Sequence, residues 1–271
     1  MGALLSSTRA PLFLAVLSLL FVPRLHARDL DEIEKRGTLR VLAVVNNQRD
    51  EFFSNRPGVG IDREILEGFA RLHHLTLEVV PQAGWDQLVP ALQAGKGDLI
   101  AGRFTMTESR RRVIDFTAEA FPTRNVVLTR RPRRAVTTLE QFRAEKVGTV
   151  KGTSMAEAVA AAGAPPGNVE DLPTGTLPAA LKAGTVTAVV LGIENAIAAQ
   201  RDDPALELGL FLGPPGSLAY GVRKSDPRLR EALDDYLGNL RKSATWSRLV
   251  VKYFGERALE ILTKARTEAA P

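Results

Sequence analysis

The apolar residues of this chain fall into two patterns, short continuous runs and longer stretches with helical spacing. Runs at residues 39–45, 75–80 and 98–101 predict buried strands, while apolar positions three and four apart at 61–72 and 85–94 predict helices. Continuous apolar runs are typical of strands covered on both faces, as in parallel sheets. Strands and helices that alternate at these lengths form βαβ units, so this part of the chain predicts an α/β fold.

A helix, a glycine and an apolar strand follow one another twice in the sequence. Residues 92–102 read LQAGKGDLIAG, and residues 181–192, beginning 89 positions later, read LKAGTVTAVVLG. In each copy a glycine follows the last helical turn, where it can adopt the left-handed conformation that ends a helix. The echo predicts two similar α/β lobes.

The other patterned segments complete these two lobes. Their predicted positions are strands at 121–129, 146–150 and 219–222, and helices at 155–162, 228–240 and 246–264. We therefore expect residues 28–128 and 219–271 to form lobe 1 and residues 129–218 to form lobe 2. Two crossings between the lobes would make a hinge, and ligands bind in the cleft between such lobes.

The N-terminal 27 residues resemble a secretory signal peptide. Arg9 precedes an apolar run at residues 12–22, and Ala27 provides a small residue for cleavage before Arg28. The run is shorter than the ~20 apolar residues that span a bilayer, so an uncleaved membrane anchor is the less favoured reading. We expect export to the periplasm.

Composition and charge exclude several classes of function. The 271 residues include no cysteine, so there is no disulfide framework, thiolate metal site or lipid attachment site. The formal charge is +5, and +3 without Arg9 and Arg24. The basic cluster at 130–134 lacks a nucleic-acid recognition motif, so a solvated connector is expected and nucleic acid is not an expected partner. The pair His73 and His74 lacks a third ligand at metal spacing, so neither a metal nor a cofactor is expected.

Six motifs in order make the chain resemble the type 3 extracellular solute-binding proteins, which serve polar amino-acid ABC transporters. The resemblance covers residues 35–255 and implies the two-lobed periplasmic binding protein fold, with parallel-rich sheets flanked by helices and a two-strand hinge. The matching segments are GTLRV at 37–41, GIDREI at 60–65, WDQLVPAL at 85–92, GDLIAG with TMTESR and VIDFT across 97–117, VGTVKGTS at 147–154, and YFG at 253–255.

The resemblance implies a set of ligand-binding residues. Arg110 matches the arginine that grips a ligand carboxylate, and a guanidinium offers a planar fork for two carboxylate oxygens. Thr105 matches a hydroxyl that bonds the ligand, and Gly102 matches a position of main-chain contact. Thr153 and Ser154 precede a helix, where they can cap it and where its free N–H groups favour an anion. Trp85 matches an aromatic residue that covers the ligand, although core packing is nearly as plausible for a tryptophan that starts a helix.

Two positions depart from the family pattern. Gly192 stands where amino-acid-binding members place an aspartate that pairs with the ligand ammonium, and Arg103 stands where small hydroxyl residues are frequent. Unless Glu194 reaches in from the next turn, the cleft lacks a partner for a cation. The sequence therefore favours an organic acid, an acidic amino acid or a peptidoglycan fragment over a basic amino acid.

The expected function is capture of a small carboxylate-bearing solute, an amino acid or organic acid, by a monomer that is not an enzyme. The family implies that the closed form delivers this solute to an ABC-transporter permease in the inner membrane. One alternative is an exported cyclohexadienyl dehydratase-like enzyme in which Glu194 serves as general acid. Another is a ligand-sensing module for a separate membrane receptor.

Overall fold

The structure is a computed structural model that describes residues 29–45, 52–256, 263, 266 and 267. Its strands form two separate five-stranded sheets, and each sheet belongs to one lobe. The predicted signal peptide at 1–27 lies outside the described residues. Within the described part of the chain, no helix combines the length and apolar character needed to cross a membrane.

The helices and strands follow one another in both lobes much as the apolar pattern predicts. In chain order they are α1 Leu30–Arg36, β1 Thr38–Ala43, α2 Ile61–Leu72, β2 Thr76–Pro81, α3 Leu88–Gln93, β3 Leu99–Ile100, α4 Glu108–Arg111, β4 Asp115–Phe116, β5 Phe121–Arg130, α5 Leu139–Ala144, β6 Val147–Thr149, α6 Ser154–Ala161, β7 Val169–Asp171, α7 Leu177–Ala183, β8 Ala188–Gly192, α8 Ile193–Asp202, β9 Leu206–Leu218, β10 Gly221–Val222, α9 Pro227–Lys242 and α10 Ala244–Phe254.

The sheet of lobe 1 has the strand order β2-β1-β3-β10-β4. Strand β1 pairs in parallel with β2 and β3, while β10 runs antiparallel to β3 and β4. Successive residues of β1 enter different apolar clusters: Val41 packs in the cluster that contains α2 and α9, and Leu42 packs with α3. Helices therefore cover both faces of this sheet, which explains its continuous apolar strands.

The sheet of lobe 2 has the order β7-β6-β8-β5-β9. Strand β6 pairs in parallel with β7 and β8, and β5 runs antiparallel to both β8 and β9. The repeated helix–glycine–strand units end in β3 and β8, one in each lobe. Gly95 and Gly184 follow the two helices with φ values of 70° and 74°, as predicted for glycine caps.

Two antiparallel strands connect the lobes. Strand β5 enters lobe 2 and β9 leaves it, and the two pair from Phe121 opposite Leu218 to Arg130 opposite Leu206. All of β5 hydrogen-bonds within the second sheet, so the chain leaves the first sheet before residue 121. The predicted division, which assigned residues up to 128 to lobe 1, differs from this strand pairing because β5 was assigned by its sequence position alone.

Other predicted segments differ in detail. Residues Trp85–Gln87 form a 3-10 turn before α3 rather than the start of one long helix, and Pro90 lies within the first turn of α3. The last helix is described only to Phe254, so the predicted part beyond residue 256 lies largely outside the described residues. The basic connector is exposed as expected, and Arg130 and Arg133 form ion pairs with Asp203 and Glu145.

Candidate ligand-binding cleft

A cavity of about 240 Å³ lies between the two lobes. Lobe 1 lines it with Trp85 and three residues of the segment that follows β3, and lobe 2 lines it with β5, the start of α6, the start of α7 and one face of α8. The lining residues are Trp85, Arg103, Thr105, Arg110, Thr123, Asn125, Val150, Thr153, Ser154, Met155, Thr174, Gly175, Leu177, Pro178, Leu191, Gly192, Glu194, Asn195, Ala198, Ala199 and Asp202.

Arg110 lies in this cleft on the short helix α4. Its guanidinium lies over the ring of Phe104, with 4.1 Å between the guanidinium carbon and the ring centre. One terminal nitrogen donates to the carbonyl oxygen of Thr105 at 2.8 Å, and the other donates across the cleft to that of Gly152 at 2.9 Å. Burial lowers the pKa of Arg110 to about 10, against the raising effect of Glu157, so the side chain is charged at neutral pH. A guanidinium has five N–H donors, more than these two bonds use.

Thr153 and Ser154 lie at the N-terminus of α6, opposite Arg110. The Thr153 hydroxyl accepts from the backbone N–H of Ala156 at 3.2 Å and donates to the carbonyl of Val150 at 2.6 Å, which is the capping arrangement expected for this residue. The Ser154 hydroxyl donates to the hydroxyl of Thr105 at 3.0 Å, so these two side chains join the lobes.

Arg103 enters the cleft from a backbone turn that Asp62 holds. Asp62 is buried, and its Oδ2 accepts from the N–H groups of both Gly102 and Arg103 at 3.2 Å. Gly102 has φ 85° and Arg103 has φ 63°, a conformation that side-chain-bearing residues rarely adopt. Gly102 itself is not among the residues that line the cavity, so the structure places it one residue behind the lining.

The guanidinium of Arg103 faces Trp85 and the second lobe. It lies 6.0 Å from the ring centre of Trp85 and donates to Oδ1 of Asn195 at 3.0 Å. Trp85 is 8% exposed and packs with Leu88 and Leu92, so it belongs to the core and to the cavity wall at once. Arg103 therefore covers part of the aromatic surface that was predicted to cover a ligand.

Glu194 reaches into the cleft and takes the place of a side chain at position 192. A Cβ on Gly192 would lie 2.2 Å from Oε1 of Glu194, which no side chain could tolerate. The Thr123 hydroxyl donates to Oε2 at 2.7 Å, and Nδ2 of Asn195 donates to Oε1 at 3.3 Å. Burial raises the pKa of Glu194, although the Thr123 hydrogen bond and the charge of Arg103 oppose that rise. The premise that the cleft lacks a partner for a cation is therefore wrong.

The lobes touch each other along the cleft. Position 152 is so close to lobe 1 that a Cβ there would lie 2.7 Å from the backbone nitrogen of Asp86. The Ser109 hydroxyl also donates to the Glu157 carboxylate at 2.9 Å. With the Arg103–Asn195 and Ser154–Thr105 bonds, these contacts show a form in which the lobes are closed on each other.

Sequence reasoning missed several lining residues. Thr123 and Asn125 alternate with apolar residues in β5, and this alternation of polar side chains within a buried strand could have identified them. No comparable signal identified Leu177, Pro178 or Asp202, because they face the cleft only through the packing of α7 and α8 against the sheet. Among the residues that the structure describes, no group of three or more histidine, aspartate or glutamate side chains is arranged to hold a metal ion.

Two lobes that are joined by two strands and place charged and hydroxyl side chains across one cleft define a ligand-binding protein of the periplasmic binding protein fold. More specifically, the chain belongs to the bacterial extracellular solute-binding proteins, family 3, whose model matches residues 39–256. This confirms the family resemblance and the fold class predicted from the sequence.

Solved structures with this fold resemble the chain over most of their length. Holo ArgBP from T. maritima is 28% identical, with a TM-score of 0.70, and the match covers 83% of this chain and 99% of that one. An ancestral arginine-binding protein bound to arginine is 27% identical, with a TM-score of 0.70, and the match covers 81% and 99% of the two chains.

Curated relatives include both binding proteins and larger enzymes. A probable histidine-binding protein of Neisseria gonorrhoeae is 26% identical over 73% of this chain and 75% of that protein. A membrane-bound lytic murein transglycosylase F of Desulfosudis oleivorans is 23% identical over 85% of this chain and 52% of the enzyme. The chain thus spans about half the length of that transglycosylase.

Proposed function

We propose that this protein captures a small carboxylate-bearing solute, most simply an α-amino acid, in the interlobe cleft. The observation that carries the proposal is the pair of buried opposite charges on the cleft walls, Arg110 from lobe 1 and Glu194 from lobe 2. A zwitterion offers one group to each. An organic acid without an ammonium would leave the Glu194 carboxylate facing the ligand without a cationic partner.

The cleft chemistry assigns each end of an amino acid to a wall. The carboxylate would bond the Arg110 guanidinium, whose fork suits two oxygens, and would face the N-terminus of α6 beside Ser154. The ammonium would donate to the carboxylate of Glu194, which Thr123 and Asn195 already hold in place. Arginine- and histidine-binding relatives support an amino acid as the ligand class.

Ligand contacts to both walls would shift the protein from an open to a closed form through the β5–β9 hinge. The closed form would then dock as a monomer on an ABC-transporter permease in the inner membrane, where another subunit hydrolyses ATP. Membership of the solute-binding family and the periplasmic histidine-binding relative of Escherichia coli support this role and a periplasmic location.

A second candidate function is a cyclohexadienyl dehydratase-like reaction. A buried carboxyl with a raised pKa can remain protonated near neutral pH and donate that proton to a leaving hydroxyl, and Glu194 lies in the cleft with this property. Arg110 would hold the substrate carboxylate. In this reading Glu194 is the general acid, so prephenate or arogenate would turn over rather than remain bound.

A thermal-shift screen tests the two candidates together. The purified protein is unfolded and refolded to remove carried ligand, then heated with amino acids, dicarboxylates, muropeptides, prephenate and arogenate, because a ligand that binds the folded state raises the melting temperature. An amino-acid shift that disappears in Arg110→Gln, but persists in the exposed neighbour Arg112→Gln, supports solute binding. Turnover of prephenate or arogenate that Glu194→Gln abolishes would instead support the enzyme.

A further inference from the structure

The cavity continues along lobe 2 beyond the charged residues that would hold an amino-acid head group. Helix α8 contributes Glu194, Asn195, Ala198, Ala199 and Asp202 to its wall. These positions recur at helical spacing, so they form one face of the helix. Eight residues of α-helix rise about 12 Å, so the wall extends about 12 Å from Glu194 to Asp202.

This extension has small, mostly apolar walls. Leu177 and Pro178 from the first turn of α7 face Leu191 and the alanines of α8 across it. Leu177 is 3% exposed and Leu191 is 8% exposed, so the extension lies against the packed interior of lobe 2. Small and aliphatic residues leave room for an unbranched methylene chain and provide apolar contact along it.

The far end of the extension is negative. The Asp202 carboxylate lines the cavity there, and α8 ends at the same residue, so the partial negative charge of the helix C-terminus adds to it. Asp202 is largely exposed and also pairs with the adjacent Arg201 at 3.1 Å, which moderates the field. A cationic group or a cluster of N–H donors is the chemistry that suits this end.

The lobe 1 side offers a ligand side chain less space. The Arg103 guanidinium lies 6.0 Å from the Trp85 ring centre and bonds Asn195, so it stands between the aromatic wall and the head-group residues. A side chain attached to a head group at Arg110 and Glu194 is therefore directed toward lobe 2.

We propose that the cleft selects an amino acid with a long, unbranched side chain that runs along α8 and ends in a cationic group at Asp202. The inference rests on the proposed amino-acid binding and adds the side-chain class and the residues that read it. Ala198 and Ala199 set the width of the extension, and Asp202 recognises the end of the side chain.

A chain-length series tests the inference by calorimetry on the refolded protein. The ligands are 2,3-diaminopropionate, 2,4-diaminobutyrate, ornithine and lysine, which differ by one methylene each, with norleucine as the uncharged counterpart of lysine. Affinity is expected to rise about fourfold for each buried methylene. Asp202→Asn should weaken lysine about two- to fivefold and leave norleucine unchanged, because exposed ion pairs contribute modestly. Asp235→Asn, an exposed aspartate of α9 outside the cavity, is the matched control.

A second variant narrows the extension. Ala198→Leu should weaken lysine at least tenfold while 2,3-diaminopropionate keeps its affinity, and Ala179→Leu on the exposed face of α7 should change neither. Circular dichroism verifies that both variants fold, and the wild-type ligand series remains decisive if one does not. A flat or falling series overturns the inference while amino-acid binding stands. Failure of every amino acid to bind overturns the proposed function as well.

Discussion

The carboxylate of Glu194 occupies the space above Gly192. A Cβ at position 192 would lie 2.2 Å from Oε1 and 2.8 Å from Cδ of Glu194. The junction of β8 and α8 therefore admits one acidic side chain, and this chain carries it on residue 194. The family pattern places an aspartate at the position of Gly192, so the negative charge of the cleft is moved by two residues rather than lost.

This exclusion predicts the outcome of exchanging the two positions. Gly192→Asp alone should destabilise the protein by about 1–3 kcal/mol, because overpacking forces Glu194 from its site and brings two carboxylates together. Gly192→Asp combined with Glu194→Ala should recover most of that loss and retain amino-acid binding. Urea denaturation and calorimetry measure both effects. A single variant as stable as the wild type would show that Glu194 moves aside at little cost.

Neutralising Glu194 should weaken ammonium-bearing ligands specifically. Glu194→Gln keeps the shape and a hydrogen-bond acceptor but removes the charge that would pair with the ammonium, so amino-acid affinity should fall at least about 30-fold. Glu140→Gln, an exposed residue of α5, should leave affinity unchanged. An amino acid that binds Glu194→Gln as tightly as the wild type would remove Glu194 from the binding site.

The raised pKa of Glu194 makes the cost of its burial depend on pH. The folded state holds the proton more tightly than the unfolded chain, whose carboxyl has its ordinary pKa of 4.5. Below that value both states are protonated, and as pH rises through the folded pKa the wild type loses stability. The ligand-free Glu194→Gln variant should therefore gain stability relative to wild type between pH 4 and pH 8 in urea denaturation. A constant difference would show that burial does not perturb Glu194.

Asp62 should act as a positioning residue for the turn that carries Arg103. Its Oδ2 accepts from two backbone N–H groups, and its Oδ1 accepts from the Tyr220 hydroxyl at 3.3 Å. Asp62→Ala leaves buried donors unsatisfied and should cost about 1–3 kcal/mol of folding stability while weakening ligand binding. Asp62→Asn should recover most of both losses, because an amide oxygen can accept the N–H groups while its nitrogen donates to the tyrosine. Equal loss in the two variants would contradict the hydrogen-bonding role.

The sequence predicts elements best where one periodicity extends over many residues. Helix α2 has the predicted bounds because its apolar positions recur through three turns. Strand β9 was not predicted, since Pro214 and Pro215 read as turn punctuation, yet prolines are tolerated at the edge of a sheet and β9 is an edge strand.

The cleft divides in the same way. Arg110 and Ser154 follow from motif positions, and the structure brings both to the cavity. The position of Glu194 depends on how α8 is rotated relative to β8, and the extension toward Asp202 depends on the packing of two helices. Neither relationship is local in sequence, so neither has a pattern to predict it.

The hydroxyl pair Ser154 and Thr105 should contribute to closure. Ser154 donates to Thr105 across the cleft at 3.0 Å, and a neutral hydrogen bond contributes about 0.5–1.5 kcal/mol net. Ser154→Ala should therefore weaken ligand binding about two- to tenfold, because the closed form that binds ligand loses a contact that the open form lacks. Small-angle scattering should show a larger radius of gyration for Ser154→Ala than for wild type without ligand, and the same radius with saturating ligand. Ser247→Ala, on the exposed side of α10, should match wild type in both measurements. Weaker binding with an unchanged ligand-free radius would mean that Ser154 acts on the ligand directly rather than through closure.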